Sequence, residues 1–352
     1  MIPGSLRFSV VIANWNYGAF VGAAIDSALA LDWTAVEVIV VDDGSTDDSR
    51  RIIEAYRERV QAIFQANGGQ RAACNAGFAR ARGDIVIFLD ADDRLDPTAA
   101  REIAAIWRPG ISKVQFQMRI IDAAGKPTGA IFPHFPAAAP TPQEIRRWAL
   151  GAGAYPTPMG SGNAYARTFL EKIFPLEGSE PASDSYCLAA APLLGDILTI
   201  AKPLASYRIH GRNDGAMSAL DVTRFARELA RAQWRFAYAQ DIARRNGIAI
   251  PDHVFRNSLA TLPYRLASLR LGPERHPIPG DSLRAIVADT IRAGFVPQGR
   301  TPLACAALVA WTLLVAALPR RAGTPLALWR FASPSRPKLL QWALARLHTA
   351  GN

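Results

Sequence analysis

Two clusters of aspartates each follow a short apolar segment of the sequence. Asp42 and Asp43 follow the first segment in VEVIVVDDGSTDDS, and Asp90, Asp92 and Asp93 follow the second in IVIFLDADDR. Carboxylates that lie close together repel one another, so a cluster of them favours a bound cation. Mg²⁺ or Mn²⁺ held by one or two carboxylates and by a substrate diphosphate fits this chemistry. Without a metal, the same carboxylates can accept hydrogen bonds from a ribose hydroxyl or a base N–H.

A purely structural role is the alternative for each cluster. Asp-Gly-Ser and Asp-Asp-Arg sequences are common in turns and at helix N-termini, where the aspartate accepts backbone N–H groups. Either cluster alone would leave these two interpretations balanced. The occurrence of both clusters at equivalent ends of two predicted strands favours a site for a nucleotide that carries a diphosphate.

The segments around the clusters alternate between strand and helix over the first hundred residues. Continuous apolar runs predict strands buried on both faces, and apolar residues at spacings of three and four predict helices. The predicted strands are 8–13, 36–41, 62–64 and 85–89, and the predicted helices are 47–60, 70–82 and 97–107. This order predicts an α/β fold with a mostly parallel sheet and helices on both faces. Ligands of such sheets bind beyond the carboxyl ends of the strands, where both clusters lie.

The pattern changes in the second part of the chain. An alternating strand is predicted at 114–120, a loop rich in Gly and Pro at 155–163, and a late strand at 198–209. Helical spacing dominates after that. We therefore predict a nucleotide-binding domain over 1–215 and a basic helical region over 216–352.

The three cysteines indicate the compartment. Cys74, Cys187 and Cys305 lie far apart and are odd in number, which argues against a disulfide framework or a zinc site. The N-terminal segment lacks the pattern of a signal peptide. Both observations predict a cytoplasmic protein.

The net charge of +10 is unevenly distributed. Residues 1–215 carry 21 Lys/Arg and 23 Asp/Glu, a balance of −2, whereas residues 216–352 carry 19 and 7, a balance of +12. No acidic residue follows Asp289, although eight Lys/Arg do. Such a field attracts nucleic acid, an anionic lipid surface or a polyanionic substrate, and a solvated basic face is the alternative.

An uncharged apolar segment lies within this basic region. Pro302 to Leu318 spans seventeen residues without a charge, between Arg300 and the pair Arg320 and Arg321. As a helix the segment would be about 25 Å long, just short of a bilayer core. A buried helix of a C-terminal bundle is one interpretation. We favour peripheral contact of 299–352 with the anionic cytoplasmic face of the inner membrane.

The chain resembles the family 2 glycosyltransferases of the A-type (GT-A) fold over roughly residues 7–215. The resemblance rests on SVVIANWNYGAFVGAAIDSAL, VEVIVVDDGSTDDS, NGGQRAACNAGFARARGDIVIFLDADD and YRIHGRNDG, in this order and spacing. It implies a metal-dependent, inverting enzyme that uses Mn²⁺ or Mg²⁺ and a nucleotide-sugar donor, UDP-linked by our expectation. The acceptor that it implies is a hydroxyl of a glycan or a lipid-linked molecule, in cell-envelope or extracellular polysaccharide synthesis.

The resemblance also implies a set of residues that bind the nucleotide. Asp43 would accept the N3–H of a pyrimidine, and Trp15 keeps an aromatic side chain at the stacking position. The family usually has Pro-Thr-Tyr-Asn where this chain has Ala-Asn-Trp-Asn, so Ala13 offers only its backbone. The full predicted set is Ala13, Trp15, Asp43, Asn67, Gly69, Gln70 and Asp90, with Arg71 beside it.

The same resemblance implies the metal ligands and the catalytic base. Asp90-Ala91-Asp92 matches the family's Asp-X-Asp motif, so the predicted metal ligands are Asp92, Asp93 and His210. Asp184 matches the general base, although the family commonly has Glu-Asp where this chain has Ser-Asp. A helix N-cap is the alternative role for Asp184, and a structural role is the alternative for His210. The loop predicted to contact the acceptor or the donor sugar contains Ser161, Gly162 and Asn163.

Two other functions were weighed against a sugar transferase. A nucleotidyltransferase also uses strand-end acids and a metal, but it would need a basic Gly-rich segment after the first strand, and ANWNYGAF has no Lys or Arg. A nucleic-acid-binding protein would suit the basic balance. That excess lies outside the acid-rich domain, and no basic–aromatic platform accompanies it, so we expect no nucleic-acid partner.

Overall fold

The computed structural model describes residues 6–135, 139–180, 182–211 and 222–331. The chain divides into two compact units. The first comprises Met1–Ala149, Tyr155–His210 and Arg235–Ile250, and the second comprises Leu150–Ala154, Gly211–Trp234 and Pro251–Asn352. The end of the YRIHGRNDG motif, from residue 212, and the last part of the predicted membrane-contact region, from residue 332, lie outside the described residues. The domain boundary predicted at residue 215 stays a prediction.

One sheet organises the first unit. Its strands are β1 (Phe8–Asn14), β2 (Val36–Asp43), β3 (Gln61–Gln65), β4 (Ile85–Asp90), β5 (Arg94–Leu95), β6 (Ile111–Ile121), β7 (Pro127–Phe132), β8 (Asn163–Ala166) and β9 (Asp196–Arg208). They lie in the order β3-β2-β1-β4-β8-β6-β9-β5, and β7 pairs with β6. The first four strands are parallel, as predicted. The rest of the sheet is mixed, because β8 is antiparallel to both neighbours while β6 and β9 are parallel.

Twelve helices occur in the described residues. They are α1 (Gly18–Leu29), α2 (Ser49–Glu54), α3 (Gln70–Arg80), α4 (Ala99–Ile106), α5 (Pro142–Ala152), α6 (Arg167–Leu170), α7 (Ser183–Leu194), α8 (Val222–Arg245), α9 (Leu262–Leu271), α10 (Leu283–Gly294), α11 (Pro302–Ala317) and α12 (Arg320–Phe331). The helix predicted at 47–60 is shorter than expected, because α2 ends at Glu54 and isolated turns follow it. Short 3₁₀ helices also occur, among them Gly160–Gly162.

The alternation of side chains along β1 explains why helices cover both faces of the sheet. Val10 and Ile12 belong to the core cluster that includes α1. Val11 points to the opposite face, where it meets Gly77 of α3. A Cβ on Gly77 would lie 2.2 Å from Val11 Cγ1, so only glycine allows this helix to approach the strand so closely. The predicted arrangement of helices is therefore present around β1.

The register of the parallel strands brings their carboxyl ends to one edge. Ala13 of β1 is paired with Asp90 of β4, and Asn14 of β1 is paired with Asp42 of β2. The two aspartate clusters therefore follow strands that flank β1 on either side, at the same level of the sheet. This is the arrangement predicted from the order of strands and helices.

The second unit is helical and has its own core. Leu262 and Leu266 of α9 pack with residues of α10, α11 and α12. A buried ion-pair cluster lies within this unit: Arg265 contacts Asp281 at 2.6 Å and Asp289 at 2.9 Å, and His276 contacts Asp281 at 3.2 Å. Within the described ranges, every helix is too short or too polar to cross a bilayer.

Candidate active site

The first aspartate cluster contains one residue that holds its own turn together. Asp42 is buried, and its Oδ1 accepts hydrogen bonds from Asn14 Nδ2 at 2.8 Å and from the Ser45 hydroxyl at 2.6 Å. These contacts tie the end of β1 to the Asp-Gly-Ser turn after β2. Asp42 therefore has the structural role that the sequence left open for either cluster.

Asp43 organises the loop that leads into α3. Its carboxylate accepts hydrogen bonds from Gln65 Nε2 at 2.6 Å, from the Gly68 amide at 3.0 Å and from the Gly69 amide at 2.7 Å. Asn67 Nδ2 donates to the Asp43 carbonyl at 3.0 Å. Asp43, Asn67 and Gly69, all predicted to bind the nucleotide, are thus brought together. An incoming base N–H would compete with the donors that already reach this carboxylate.

The second cluster is built around the end of β4. The Asp90 amide donates to Ser161 Oγ at 3.0 Å, and Gln70 Nε2 donates to Asp90 Oδ1 at 3.1 Å. The Asp93 amide donates to the Asp90 carbonyl at 3.0 Å, closing the turn after the strand. Gln70 and Asp90, both predicted on the nucleotide side, are therefore in direct contact.

Asp92 and His210 meet at this edge although they are distant in sequence. His210 Nε2 lies 2.8 Å from Asp92 Oδ2, and both side chains are largely buried. The imidazole ring stacks on Phe20, with ring centroids 5.0 Å apart, and meets the edge of Tyr17. These rings, from the start of α1, fix the orientation of the histidine.

The charged forms of the buried carboxylates Asp90 and Asp93 are disfavoured by their surroundings. Burial, together with the charges of Asp92 and Asp184, raises the pKa of Asp90 to about 7. Burial, together with the charges of Asp90 and Asp92, raises the pKa of Asp93 well above its ordinary value. Asp93 Oδ1 accepts the Arg208 amide at 2.9 Å, but its buried Oδ2 has no hydrogen-bond partner. A cation near these groups would relieve both the repulsion and the unsatisfied oxygen.

These side chains provide part of a ligand set for a divalent cation of the kind predicted. Asp92 and His210 offer two ligand atoms side by side, and Asp93 offers an unpaired oxygen. In the part of the chain that the structure describes, no three carboxylate, imidazole or thiol groups form a complete metal-binding group. Mg²⁺ sites commonly have few protein ligands and take the others from water and substrate phosphates. The residues present would therefore need a phosphate-bearing substrate to complete the coordination.

Gly160 lies between Asp90 and Asp184. A Cβ built on Gly160 would be 3.3 Å from Asp90 Oδ2 and 3.9 Å from Asp184 Oδ2. Asp184 stands in the first turn of α7, so this glycine separates the end of β4 from the start of that helix. The absence of a side chain at Gly160 keeps the space between the two carboxylates open. Gly160 belongs to the loop predicted to contact a sugar, but its place between the two carboxylates could not be predicted, because a glycine in a Gly-rich loop gives no indication of its neighbours.

The three loop residues predicted to contact a sugar are themselves buried. Ser161 binds the Asp90 amide, and Asn163 Nδ2 donates to the carbonyls of Met159 and Gly160 at 2.9 and 3.0 Å. A Cβ on Gly162 would come within 2.5 Å of Pro158, which explains the glycine. These contacts hold Gly160 at its position. Direct contact of Ser161, Gly162 and Asn163 with a sugar stays a prediction.

A buried lysine supports the same loop and was not predicted. Lys113 of β6 is fully buried, and its Nζ donates to Thr157 Oγ1 at 2.9 Å and lies 3.3 Å from the Tyr155 hydroxyl. The Tyr155 hydroxyl in turn donates to the Leu188 carbonyl of α7 at 2.9 Å. Burial lowers the pKa of Lys113 well below its usual range. Lys113 occupies one of the alternating polar positions of the segment ISKVQFQMR, so the sequence pattern gave no signal of its burial.

A second unpredicted residue shapes the start of α7. Glu180 is buried, and its carboxylate accepts hydrogen bonds from the Ala182 amide at 3.3 Å and the Ser185 hydroxyl at 3.4 Å. Its carbonyl accepts the Tyr186 hydroxyl at 3.2 Å. An acidic residue thus lies four positions before Asp184 and fixes the turn that carries it.

The remaining predicted residues lie around the cluster. Trp15 follows β1 and has 52% of its surface exposed, and Ala13 is half-buried beside Asp90 in the sheet. Arg71 does not reach the carboxylates through any described hydrogen bond; its Nη1 donates to the Leu176 carbonyl at 3.0 Å. Their roles in nucleotide binding stay predictions.

Comparisons with known proteins agree with this geometry. The model of the family described as glycosyl transferase family 2 matches residues 9–174. An uncharacterized glycosyltransferase of Nostoc sp. strain PCC 7120 is 37% identical over 226 residues, which cover 62% of this chain and 69% of that protein. The poly(ribitol-phosphate) beta-N-acetylglucosaminyltransferase TarS of Staphylococcus aureus is 31% identical over 106 residues, which cover 28% of this chain and 18% of TarS.

A solved structure shares the fold. The crystal structure of residues 1–349 of S. aureus TarS in complex with UDP-GlcNAc aligns with a TM-score of 0.52 and 17% identity, over 90% of this chain and 92% of that chain. The prediction of an α/β fold of GT-A type followed by a helical region is confirmed. The prediction of a transferase is confirmed as well. The chain belongs to glycosyl transferase family 2 and is a glycosyltransferase.

Proposed function

We propose that this glycosyltransferase is a metal-dependent, inverting enzyme that transfers a sugar from a UDP-linked donor to a hydroxyl group. The observation that supports this most directly is the position of Gly160, which separates the carboxylates at the end of β4 from Asp184. Gly160 would thereby leave space between Asp90, on the donor side of the site, and Asp184, on the acceptor side. The complex of TarS with UDP-GlcNAc supports the choice of a UDP-linked donor.

The donor side would consist of residues at the ends of β1, β2 and β4. Trp15 would stack on the base, Asp43 and the loop 67–69 would contact the nucleoside, and Asp90 would bind the ribose. Asp92, Asp93 and His210 would hold Mn²⁺ or Mg²⁺. When bound, this cation offsets the charge that develops on the departing diphosphate.

The acceptor side would use Asp184 as the general base. Its carboxylate takes the proton of the acceptor hydroxyl as the oxygen attacks the anomeric carbon, and the bond to the diphosphate breaks in the same displacement. One displacement from the opposite side inverts the configuration. Glu180 and Ser185 hold the first turn of α7 and so orient Asp184 rather than react.

A glycan or a lipid-linked molecule is the acceptor that we propose, in cell-envelope or extracellular polysaccharide synthesis. TarS is named as a poly(ribitol-phosphate) beta-N-acetylglucosaminyltransferase, which supports a polymeric acceptor. The nucleotidyltransferase alternative receives no support, because ANWNYGAF after β1 has no basic residue for a triphosphate.

The decisive experiment is a panel of nucleotide sugars incubated with the full chain and Mn²⁺, with and without chelator. We expect release of UDP from one or a few UDP-sugars, lost on chelation and accelerated by an extract containing the acceptor. Release of pyrophosphate from a nucleoside triphosphate and a sugar phosphate would instead identify a nucleotidyltransferase. Turnover that is unaffected by chelator would contradict the metal assignment while leaving the sugar transfer intact.

A further inference from the structure

The solvent-exposed side of α11 is entirely apolar. After Pro302, which begins the helix, its exposed residues are Leu303, Ala306, Ala307, Ala310, Leu314 and Ala317. At about 100° per residue these six positions fall within an arc of about 100° on the helix. Leu303 is 80% exposed and Leu314 is 50% exposed. The usual surface helix has polar residues on this side.

The opposite side of α11 is packed into the second unit. Leu308 and Val315 belong to its core cluster, and the Thr312 hydroxyl is buried and donates to the Leu308 carbonyl. The buried-helix interpretation of the segment 302–318 therefore holds for one side of α11, and membrane contact stays a prediction. One side of the helix is buried core, and the other side is an apolar surface that the buried-helix interpretation does not explain.

The neighbouring helix α10 carries a related surface. Gly294 of α10 lies against Val309 of α11, where a Cβ would be 3.0 Å from Val309 Cγ2. The exposed side of α10 combines apolar and basic residues: Arg284, Ala288, Ile291, Arg292 and Phe295. Phe295 is 85% exposed, the most exposed large apolar side chain in the described residues. We call the exposed residues of both helices the α10–α11 face.

Basic residues border the α10–α11 face at both ends of α11. Arg300 precedes the helix, and Arg320 and Arg321 follow it; all three are exposed. The one acidic residue of α10, Asp289, is buried against Arg265. The sequence contains no acidic residue after Asp289. The surroundings of the apolar surface are thus positively charged.

We propose that the α10–α11 face binds the surface of an anionic lipid bilayer, with α11 lying in the plane of the interface. Apolar side chains that enter the acyl region and arginines that remain among the anionic headgroups are the two components of interfacial helix binding. Dimerisation through this face would bring two sets of arginines together, which like-charge repulsion opposes. The phosphates of a nucleic acid could bind the arginines, but they would make no apolar contact with Leu303, Leu314 and Phe295.

The proposal is independent of catalysis, so its test needs no activity measurement. The full chain is sedimented at low salt with vesicles of phosphatidylcholine alone and with vesicles that also contain phosphatidylglycerol. We expect binding to the anionic vesicles only. Replacing exposed residues leaves the core intact, so Phe295→Ser with Leu303→Ser should lower the partition coefficient by at least about tenfold. Arg300→Gln and Arg321→Gln should each lower it by about fivefold.

The matched control is Phe132→Ser, which removes an exposed phenylalanine from β7 in the first unit. This variant should bind vesicles like the unmodified chain. A fall in the partition coefficient for Phe132→Ser as large as that for the Phe295→Ser, Leu303→Ser double variant would overturn the proposal. So would the absence of binding to anionic vesicles at low salt. Light scattering provides the other decisive outcome: a dimer that dissociates in the Leu303→Ser variant would identify a second copy as the occupant of this face.

Discussion

His210 Nε2 lies 2.8 Å from Asp92 Oδ2, although 118 positions separate the two residues in the chain. The contact joins the segment after β9 to the turn after β4, and Phe20 and Tyr17 support the imidazole from α1. This short carboxylate–imidazole contact at the carboxyl ends of parallel strands links the fold to the cation site proposed for it.

Asp92→Asn should remove a proposed metal-ligating carboxylate without unfolding the protein. An amide can still hydrogen-bond to His210, so the free energy of unfolding should change little. Transfer in Mn²⁺ should fall by at least about 100-fold, because the carboxylate charge is lost at the proposed cation site. Calorimetric titration with UDP and Mn²⁺ measures the binding loss, and Asp48→Asn in an exposed turn is the control. Near-normal turnover of Asp92→Asn would remove this residue from the site.

Asp184→Asn should separate binding from chemistry. Because Asp184 serves the acceptor, the variant should bind UDP and Mn²⁺ like the unmodified chain, while transfer falls by about 10²–10⁴-fold. The measurement is nucleotide affinity by titration beside initial rates of transfer. If nucleotide affinity falls as far as the rate does, Asp184 belongs to the donor site or to the stability of α7 instead.

Gly160→Ala should narrow the space between Asp90 and Asp184. The φ of Gly160 is outside the left-handed region, so alanine fits the backbone and folding should be retained. The new methyl group would lie against Asp90 Oδ2, and we expect transfer to fall by about 10–100-fold with little loss of UDP affinity. Gly22→Ala in α1 is the matched control, since its Cβ would make only ordinary contacts of 3.6 Å, with Ile52 and Tyr56. Unchanged kinetics in Gly160→Ala would mean that neither substrate passes this point.

Arg265→Met should destabilise the second unit. The substitution removes the buried cation that Asp281 and Asp289 share, and among the described residues only His276 and the exposed Arg292 still pair with them. We expect a loss of about 3–5 kcal/mol in the free energy of unfolding at neutral pH. Arg275→Met changes an exposed arginine and serves as the control. Urea unfolding at several pH values measures the free energy of unfolding of the two variants and of the unmodified chain. A loss no larger than that of the control would show that the cluster does not stabilise the unit.

The same cluster predicts the sign of a pH effect. Burial alone would raise the pKa of Asp281, but the hydrogen bonds and charges of Arg265 and His276 together outweigh burial and lower it. An aspartate whose pKa is lowered on folding stabilises the protein above its unfolded pKa of about 3.9 and loses that contribution as the pH falls through the folded value. The unmodified chain should therefore lose stability below about pH 4. The difference in the free energy of unfolding between the unmodified chain and Arg265→Met should become smaller over the same pH range.

The strand ends could be predicted from the sequence because one physical rule governs them. Buried parallel strands are continuously apolar, and a polar residue therefore marks the point where the chain leaves the core. Asp42 and Asp90 lie at such points, and the register of β1 with its neighbours brings them to one edge. The local pattern could not separate the role of Asp42, which holds a turn, from that of Asp92, because both follow an apolar run.

The residues that the sequence did not reveal act through contacts between distant segments. Gly160 lies close both to Asp90 at the end of β4 and to Asp184 in α7. No local sequence pattern predicts that these two segments come together at this glycine. Strand β8 was missed for a similar reason, since it is only four residues long and pairs with β4 across 77 or more positions of the chain. Tertiary pairing, rather than propensity, decides such elements.

The burial of Lys113 has a consequence for following motions of the loop that carries Gly160. An amine with no exposed surface cannot react with an acylating reagent unless β6 and the segment 155–157 separate. The buried thiols of Cys74 and Cys187 are protected in the same way, and burial raises the pKa of both. The labelling rates of these three side chains would therefore measure how often the interior of the first unit opens in solution, and saturation with donor substrate should slow the labelling of Lys113 if the loop closes on it.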